Sequence, residues 1–153
     1  MYSDFDNAEH LTAIAQELRV TEQASAEMLS SIAAKTCRRL PRQSANFARL
    51  DRLIAADALT EAMIAFIEFE LPQWKLRIAY DEGEWHCALS RQRELPEWLD
   101  QSIEANHTDL ALAIALTYVE ALKVFESSRR SIRHSVPQVR SNDFEALSCE
   151  NYA

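Results

Sequence analysis

The chain has 153 residues, 48% of them apolar and 26% charged, enough for one domain with a real core and an ordinary solvated surface. Its single glycine, Gly83, excludes phosphate-cradling loops, dinucleotide fingerprints and serine nucleophile elbows, each of which needs several glycines within a few residues. The formal net charge of −8 sits mostly in the middle: Lys plus Arg against Asp plus Glu is six to six over residues 1–50, five to eleven over 51–100 and five to seven over 101–153. That balance disfavours wrapping a nucleic acid with the central segment.

Helical spacing begins at His10 to Leu18, with Leu11, Ile14, Ala15 and Leu18 on one side, and resumes from about Glu22 to Leu40 through Met28, Leu29, Ile32 and Ala33. Thr21 is the expected cap between the two, and Pro41 stops the second. The run from Leu11 to Ser25 has the outline of a helix-turn-helix, with Ala15 at a close crossing and Val20 packing after the turn. Basic Lys35, Arg38, Arg39 and Arg42 follow it. Arg19 stands where that turn commonly has glycine, and Ser25 where the second helix should bury an aliphatic side chain. A plain helical hairpin with a basic end explains the same residues.

Residues 44–71 form the longest helical stretch, with Phe47, Leu50, Ile54, Leu59, Met63, Phe66 and Ile67 on one side. Ala55-Ala56-Asp57 marks either a break, with Asp57 as a new N-cap, or a bend. Pro72 ends this stretch. Apolar residues then alternate at Trp74, Leu76, Ile78 and Tyr80 and again at Trp85, Cys87 and Leu89, the period of half-buried strands. Asp81-Glu82-Gly83 between them predicts a tight hairpin with Gly83 at positive φ. Cys87 then faces inward and His86 outward, near Arg77 and Lys75 of the first strand.

After the hairpin, Leu95-Pro96-Glu97-Trp98 reads as a helix start, with Trp98, Leu99 and Ile103 as its apolar side. A last helix, about Thr108 to Phe125, has only a narrow polar strip of Asp109, Glu120 and Lys123 and predicts burial on most sides. Residues 127–153 read as a polar, mobile tail. The expected fold class is therefore α+β: mostly helical, with one antiparallel hairpin at about 74–80 and 84–90 packed against helices. The expected divisions are a helical pair over 1–43, a core domain over 44–126, and the tail.

Three blocks, Phe47-Ala48-Arg49-Leu50-Asp51-Arg52-Leu53-Ile54, Glu68-Phe69-Glu70-Leu71-Pro72-Gln73-Trp74 and Glu84-Trp85-His86-Cys87-Ala88-Leu89-Ser90, precede a fourth, Asp109-Leu110-Ala111-Leu112-Ala113-Ile114. Over about Asn46 to Lys123 this pattern resembles a group of small uncharacterised bacterial proteins. The order of elements is also similar to the α-β-α sandwich modules of phage-derived proteins. Neither resemblance implies an activity or a functional residue.

No constellation for catalysis, metal or cofactor is expected. Adjacent His86 and Cys87 point to opposite faces of a strand and cannot form a dyad, and Cys37, Cys87 and Cys149 show neither zinc nor disulfide spacing. Asp81, Glu82 and Glu84 read as a solvated turn. The N-terminus lacks a secretory h-region, and the most apolar run, Leu110 to Val119, is too short to span a bilayer. A cytoplasmic, non-enzymatic interaction or regulatory module is the resulting expectation. Its expected partner is a protein, one form being a second copy that pairs two hairpins into a four-stranded sheet, and Arg77, His86 and the N-terminal helices are its surface residues. The alternative is a DNA-binding regulator using Arg38, Arg39 and Arg42, distinguished by low-salt duplex binding that is lost when those arginines are neutralised. A third class, an enzyme using His86, requires a pocket beside it.

Overall fold

A computed structural model of the chain describes residues 4–37, 40–41, 43–91 and 102–135. The described residues form five helices and one antiparallel sheet packed against the helical layer through α5, so the fold is α+β. In chain order the elements are α1 (Asp4–Val20), α2 (Ala26–Thr36), α3 (Ala45–Ala55), α4 (Leu59–Glu70), β1 (Lys75–Asp81), β2 (Glu84–Ser90), β3 (Ile103–His107) and α5 (Leu110–Ser135). Helix α5 is the central post. Every residue from Ala111 to Val119 is buried, which is what its near-absence of polar positions requires. Each large aliphatic side chain sealed there contributes about 1.5–3 kcal/mol relative to exposure.

Around that post, α1 lies along α5 through Leu11, Ile14, Ala15 and Leu18, while α2 packs on α3 and α4. Helix α4 reaches α5 through Phe66, whose ring meets Tyr118 edge-on at 5.1 Å. The sheet has the order β1-β2-β3 and lays β2 and β3 against α5. One hydrophobic cluster runs from Leu11 in α1 through α2, α3 and α4 to Cys87 and Leu89 in β2.

The hairpin register pairs Ile78 with Cys87, Tyr80 with Trp85 and Arg77 with Ala88, as the alternation requires. Its loop is the two residues Glu82 and Gly83, at φ 50 and φ 85, the positive pair of a type I′ turn. The sheet does not stop at a hairpin. Residues 103–107 form a third strand that pairs Cys87 with Ala105 and Leu89 with Ile103, so Ile103 belongs to a strand and not to the helix expected there. Leu95, Pro96, Glu97, Trp98 and Leu99 lie outside the described residues.

Helix boundaries also differ from expectation: α1 already starts at Asp4, and α2 ends at Thr36, short of Pro41. Helix α2 begins at Ala26, four residues later than its spacing suggests, because Ser25 is the N-cap and its hydroxyl accepts from the Met28 N–H. Thr21 instead donates its hydroxyl to the Glu17 carbonyl at the end of α1, and Val20 is exposed rather than packed. The long stretch over 44–71 is broken at Ala55-Ala56-Asp57, one of the two expected alternatives, but Asp57 is not the new N-cap. Asp57 takes φ 60 beyond the end of α3, its N–H donates to the Ile54 carbonyl and the next N–H, of Ala58, donates to Leu53. This is a Schellman ending in which Asp57 occupies the left-handed position rather than capping α4. At the other end, α5 continues through Ser135, so residues 127–135, placed in the polar tail by their composition, prolong the helix. Residues 136–153 lie outside the described ones.

Candidate functional site

The pleat sorts the sheet into two chemically distinct faces. Leu76, Ile78 and Tyr80 of β1, Trp85, Cys87 and Leu89 of β2, and Ile103, Ala105 and His107 of β3 share the helix side. Lys75, Arg77, Ala79 and Asp81, then Glu84, His86 and Ala88, then Glu104 and Asn106, share the outer side. Cys87 is sealed at 1% exposure, and burial pushes its thiol pKa up to about 11. His86 is exposed in the middle of the outer face, opposite Ala79 on one side and Asn106 on the other. Arg77 is half-buried and, with Ala79, His86, Ser102, Glu104 and Asn106, lines a shallow open hollow across the strands. Within it the Ser102 hydroxyl donates to Glu104 at 3.0 Å, and the Asn106 amide donates to the Glu84 carboxylate. An imidazole, a guanidinium, carboxylates and an amide on one pleated surface can exchange hydrogen bonds with a docked polypeptide.

Beside this face runs a bare edge. Helix α5 packs across β2 and β3, and among the described residues no helix makes a comparable contact with β1. Ile78 and Tyr80, on the helix side of the sheet, are therefore 39% and 61% exposed, with Tyr80 supported by the Trp85 ring at 4.8 Å. The closing pair of a two-residue hairpin, Asp81 and Glu84, exchanges both backbone hydrogen bonds. Alternation from that pair directs the backbone groups of Leu76, Ile78 and Tyr80 away from β2 and out into solvent.

Sequence reasoning did not single out a second concavity, of about 300 Å³, between the ends of α2 and α4 and the middle of α5. Glu70 and Glu126 line it at 6% and 7% exposure, together with Tyr118, Trp74 and the basic side chains of Lys35, Arg91 and Arg129. Glu70 accepts from the Leu40 N–H at 3.0 Å and lies 3.3 Å from the Cys37 sulfur, so its carboxylate ties down the chain where α2 ends. Trp74 and Phe125 close the other side edge-to-face at 5.1 Å. The sequence signal for Glu70 is weak, because Glu61 and Glu68 lie in the same helix and are exposed. Glu126 was hidden because the composition changes there. Glu70, Tyr118 and Glu126 all have bonding partners, and the arrangement works as a polar clasp between helices.

Of the residues named from sequence, Arg77 and His86 come together on the outer face, while Arg38, Arg39 and Arg42 lie outside the described residues. At the N-terminal pair, Arg19 forms an ion pair with Glu120 of α5 at 2.7 Å. Among the described residues no three His, Cys, Asp or Glu side chains converge as metal ligands, and no helix is long and apolar enough to cross a membrane. No protein-family model, curated protein or solved structure matches the chain.

Proposed function

We propose that this chain is a non-catalytic protein-interaction module of the cytoplasm, with a regulatory role, whose recognition surface is the open side of its sheet. One observation carries the reading: among the described residues β1 is a seven-residue strand paired on one side only, with apolar Ile78 and Tyr80 exposed beside it. Unprotected edges of this kind are a template for another strand, and native proteins normally shorten them, kink them or cover them. Where one is left open, main-chain pairing supplies affinity and alternate side-chain contacts supply selectivity. Arg77 and His86 on the adjoining face would provide those contacts.

The chemistry of the sheet favours binding over catalysis. A thiol whose pKa is raised to about 11 is protonated at neutral pH, so Cys87 is a poor nucleophile. The reduced thiols of Cys37 and Cys87 suit a reducing compartment. The test is a photo-crosslinking residue placed in turn at Ala79, at His86 and, as a control, at Arg49 on the exposed side of α3. Irradiation in cells should give polypeptide adducts from the two sheet positions and none from Arg49. Sheet positions that give no polypeptide adduct, including adducts to the chain itself, would overturn the reading.

A further inference from the structure

Resting on that reading, we propose that the strand which completes the sheet is β1 of a second copy of this chain, paired antiparallel about a two-fold axis through Ile78. Three features of β1 together select this register. The first is backbone parity. The outward-directed groups are those of Leu76, Ile78 and Tyr80, and a two-fold at Ile78 sets Ile78 opposite Ile78 and Leu76 opposite Tyr80 as hydrogen-bonded pairs. Parity excludes an axis between residues but admits one at Arg77 or Ala79, where Leu76 or Tyr80 would bond Ile78. An axis at Arg77 sets Lys75 opposite Ala79, and one at Ala79 runs Lys75 into the Glu82-Gly83 turn, so charge and length decide for Ile78.

The second feature is charge. The same axis puts Lys75 of each copy directly opposite Asp81 of the other, at both ends of the strand, and sets Arg77 opposite the small Ala79, where it can lean toward the second copy's Asp81. These are non-hydrogen-bonded pairs, in which side chains approach most closely and opposite charges gain most. The third is length. All seven residues of β1 find a partner, with no overhang into the Glu82-Gly83 turn. The exposed apolar residues Ile78 and Tyr80 then lie against Ile78 and Leu76 of the other copy, and the joined sheet has six strands, rather than the four expected from a hairpin alone.

The experiment uses the full chain. Light scattering after size exclusion, at tens of micromolar protein, should give twice the single-chain mass. Lys75→Glu sets like charges opposite each other twice and should raise the dimer dissociation constant roughly tenfold. Lys75→Glu combined with Asp81→Lys restores the complementarity and should recover the wild-type constant. Both positions are exposed, so the fold tolerates the changes. Ile78→Cys places two thiols on the axis, with Cα atoms about 5.5 Å apart and within disulfide reach, and mild oxidation should link the copies covalently. Tyr80→Cys puts its thiols four residues apart along the strands, about 13 Å, and should not link beyond the wild-type background.

A single-chain mass at these concentrations overturns the proposal, as does a dimer that ignores both charge variants or links no better through Ile78→Cys than through Tyr80→Cys. A single-chain mass with adducts from Ala79 and His86 to a different polypeptide removes self-pairing while leaving the interaction reading intact. A single-chain mass with no adducts removes both.

Discussion

Among the described residues two hold positive φ without being glycine, Asp57 at φ 60 and Glu82 at φ 50, and each stands where the chain reverses direction. A side chain in the left-handed region crowds its own carbonyl at a cost of about 1–2 kcal/mol, less for Asp and Asn, whose short polar groups bond locally. Asp57→Gly should therefore raise stability by about 0.5–1 kcal/mol, after allowing for the extra freedom glycine gives the unfolded chain. Glu82→Asn should do the same by supplying the Asn-Gly pair that type I′ turns prefer. The readout is a higher urea midpoint at unchanged slope; a lower midpoint would mean that the acidic side chain contributes more than the backbone strain removes. At Cys87 the consequence is a pH dependence. The folded thiol is raised from 9.0 to about 11 by desolvation, so below pH 9 both folded and unfolded chains keep the proton and stability is full. From pH 9 to 11 the unfolded chain releases it while the folded chain does not, and stability falls by on the order of 2 kcal/mol. Cys87→Ala should lose less stability than the wild type over that interval, measured by urea titration at pH 8 and pH 10.5.

Between elements, the most consequential joint is the clasp at the start of α5. Asp109 caps the helix by accepting from the Leu112 N–H at 3.1 Å, and its other carboxylate oxygen accepts from the Ala24 N–H at 3.3 Å. The Asp109 N–H donates to His107 Nδ1 at 2.9 Å. Nδ1 therefore carries no proton, and Nε2–H donates to the Thr21 carbonyl at 2.8 Å, which fixes the tautomer. Two adjacent side chains thus bind the segment after α1 to the junction of β3 and α5. From sequence, Asp109 reads only as part of a solvent-facing polar strip, because a cap and a surface carboxylate look alike until the partner segment is placed. Asp109→Ala removes the cap and the Ala24 contact together and should cost about 1–3 kcal/mol. It should also speed amide hydrogen exchange at Ala24 more than at any residue of α3. Equal acceleration everywhere would show the joint to be a general stability element rather than a clasp.

At the scale of the whole molecule, what was legible in the sequence followed the strength of its periodicity. The hairpin register, the inward Cys87 and the buried α5 all express an uninterrupted pattern of period two or 3.6. Strand β3 was not legible: Ile103-Glu104-Ala105-Asn106-His107 contains one aliphatic β-former, and Ile103 follows Trp98 and Leu99 at helical spacing. The bare edge of the candidate surface was legible only in part, since deciding which side of a hairpin stays open requires the third strand. The division into an N-terminal pair and a core bears on how the molecule unfolds. Leu11, Ile14, Ala15 and Leu18 of α1 lie in the same cluster as Leu112, Val119 and Leu89, and the Arg19–Glu120 pair and the His107–Asp109 clasp flank that contact. A helix that shares its buried side with the central post should not melt alone. Far-UV circular dichroism, dominated by the helices, and tryptophan fluorescence, which senses the sheet through Trp74 and Trp85, should therefore give coincident urea transitions at one protein concentration. Leu18→Ala should shift both together, by about 2–5 kcal/mol, because it opens a cavity in a core the two regions share. If only the helical signal moved, residues 1–43 would be an independent folding unit.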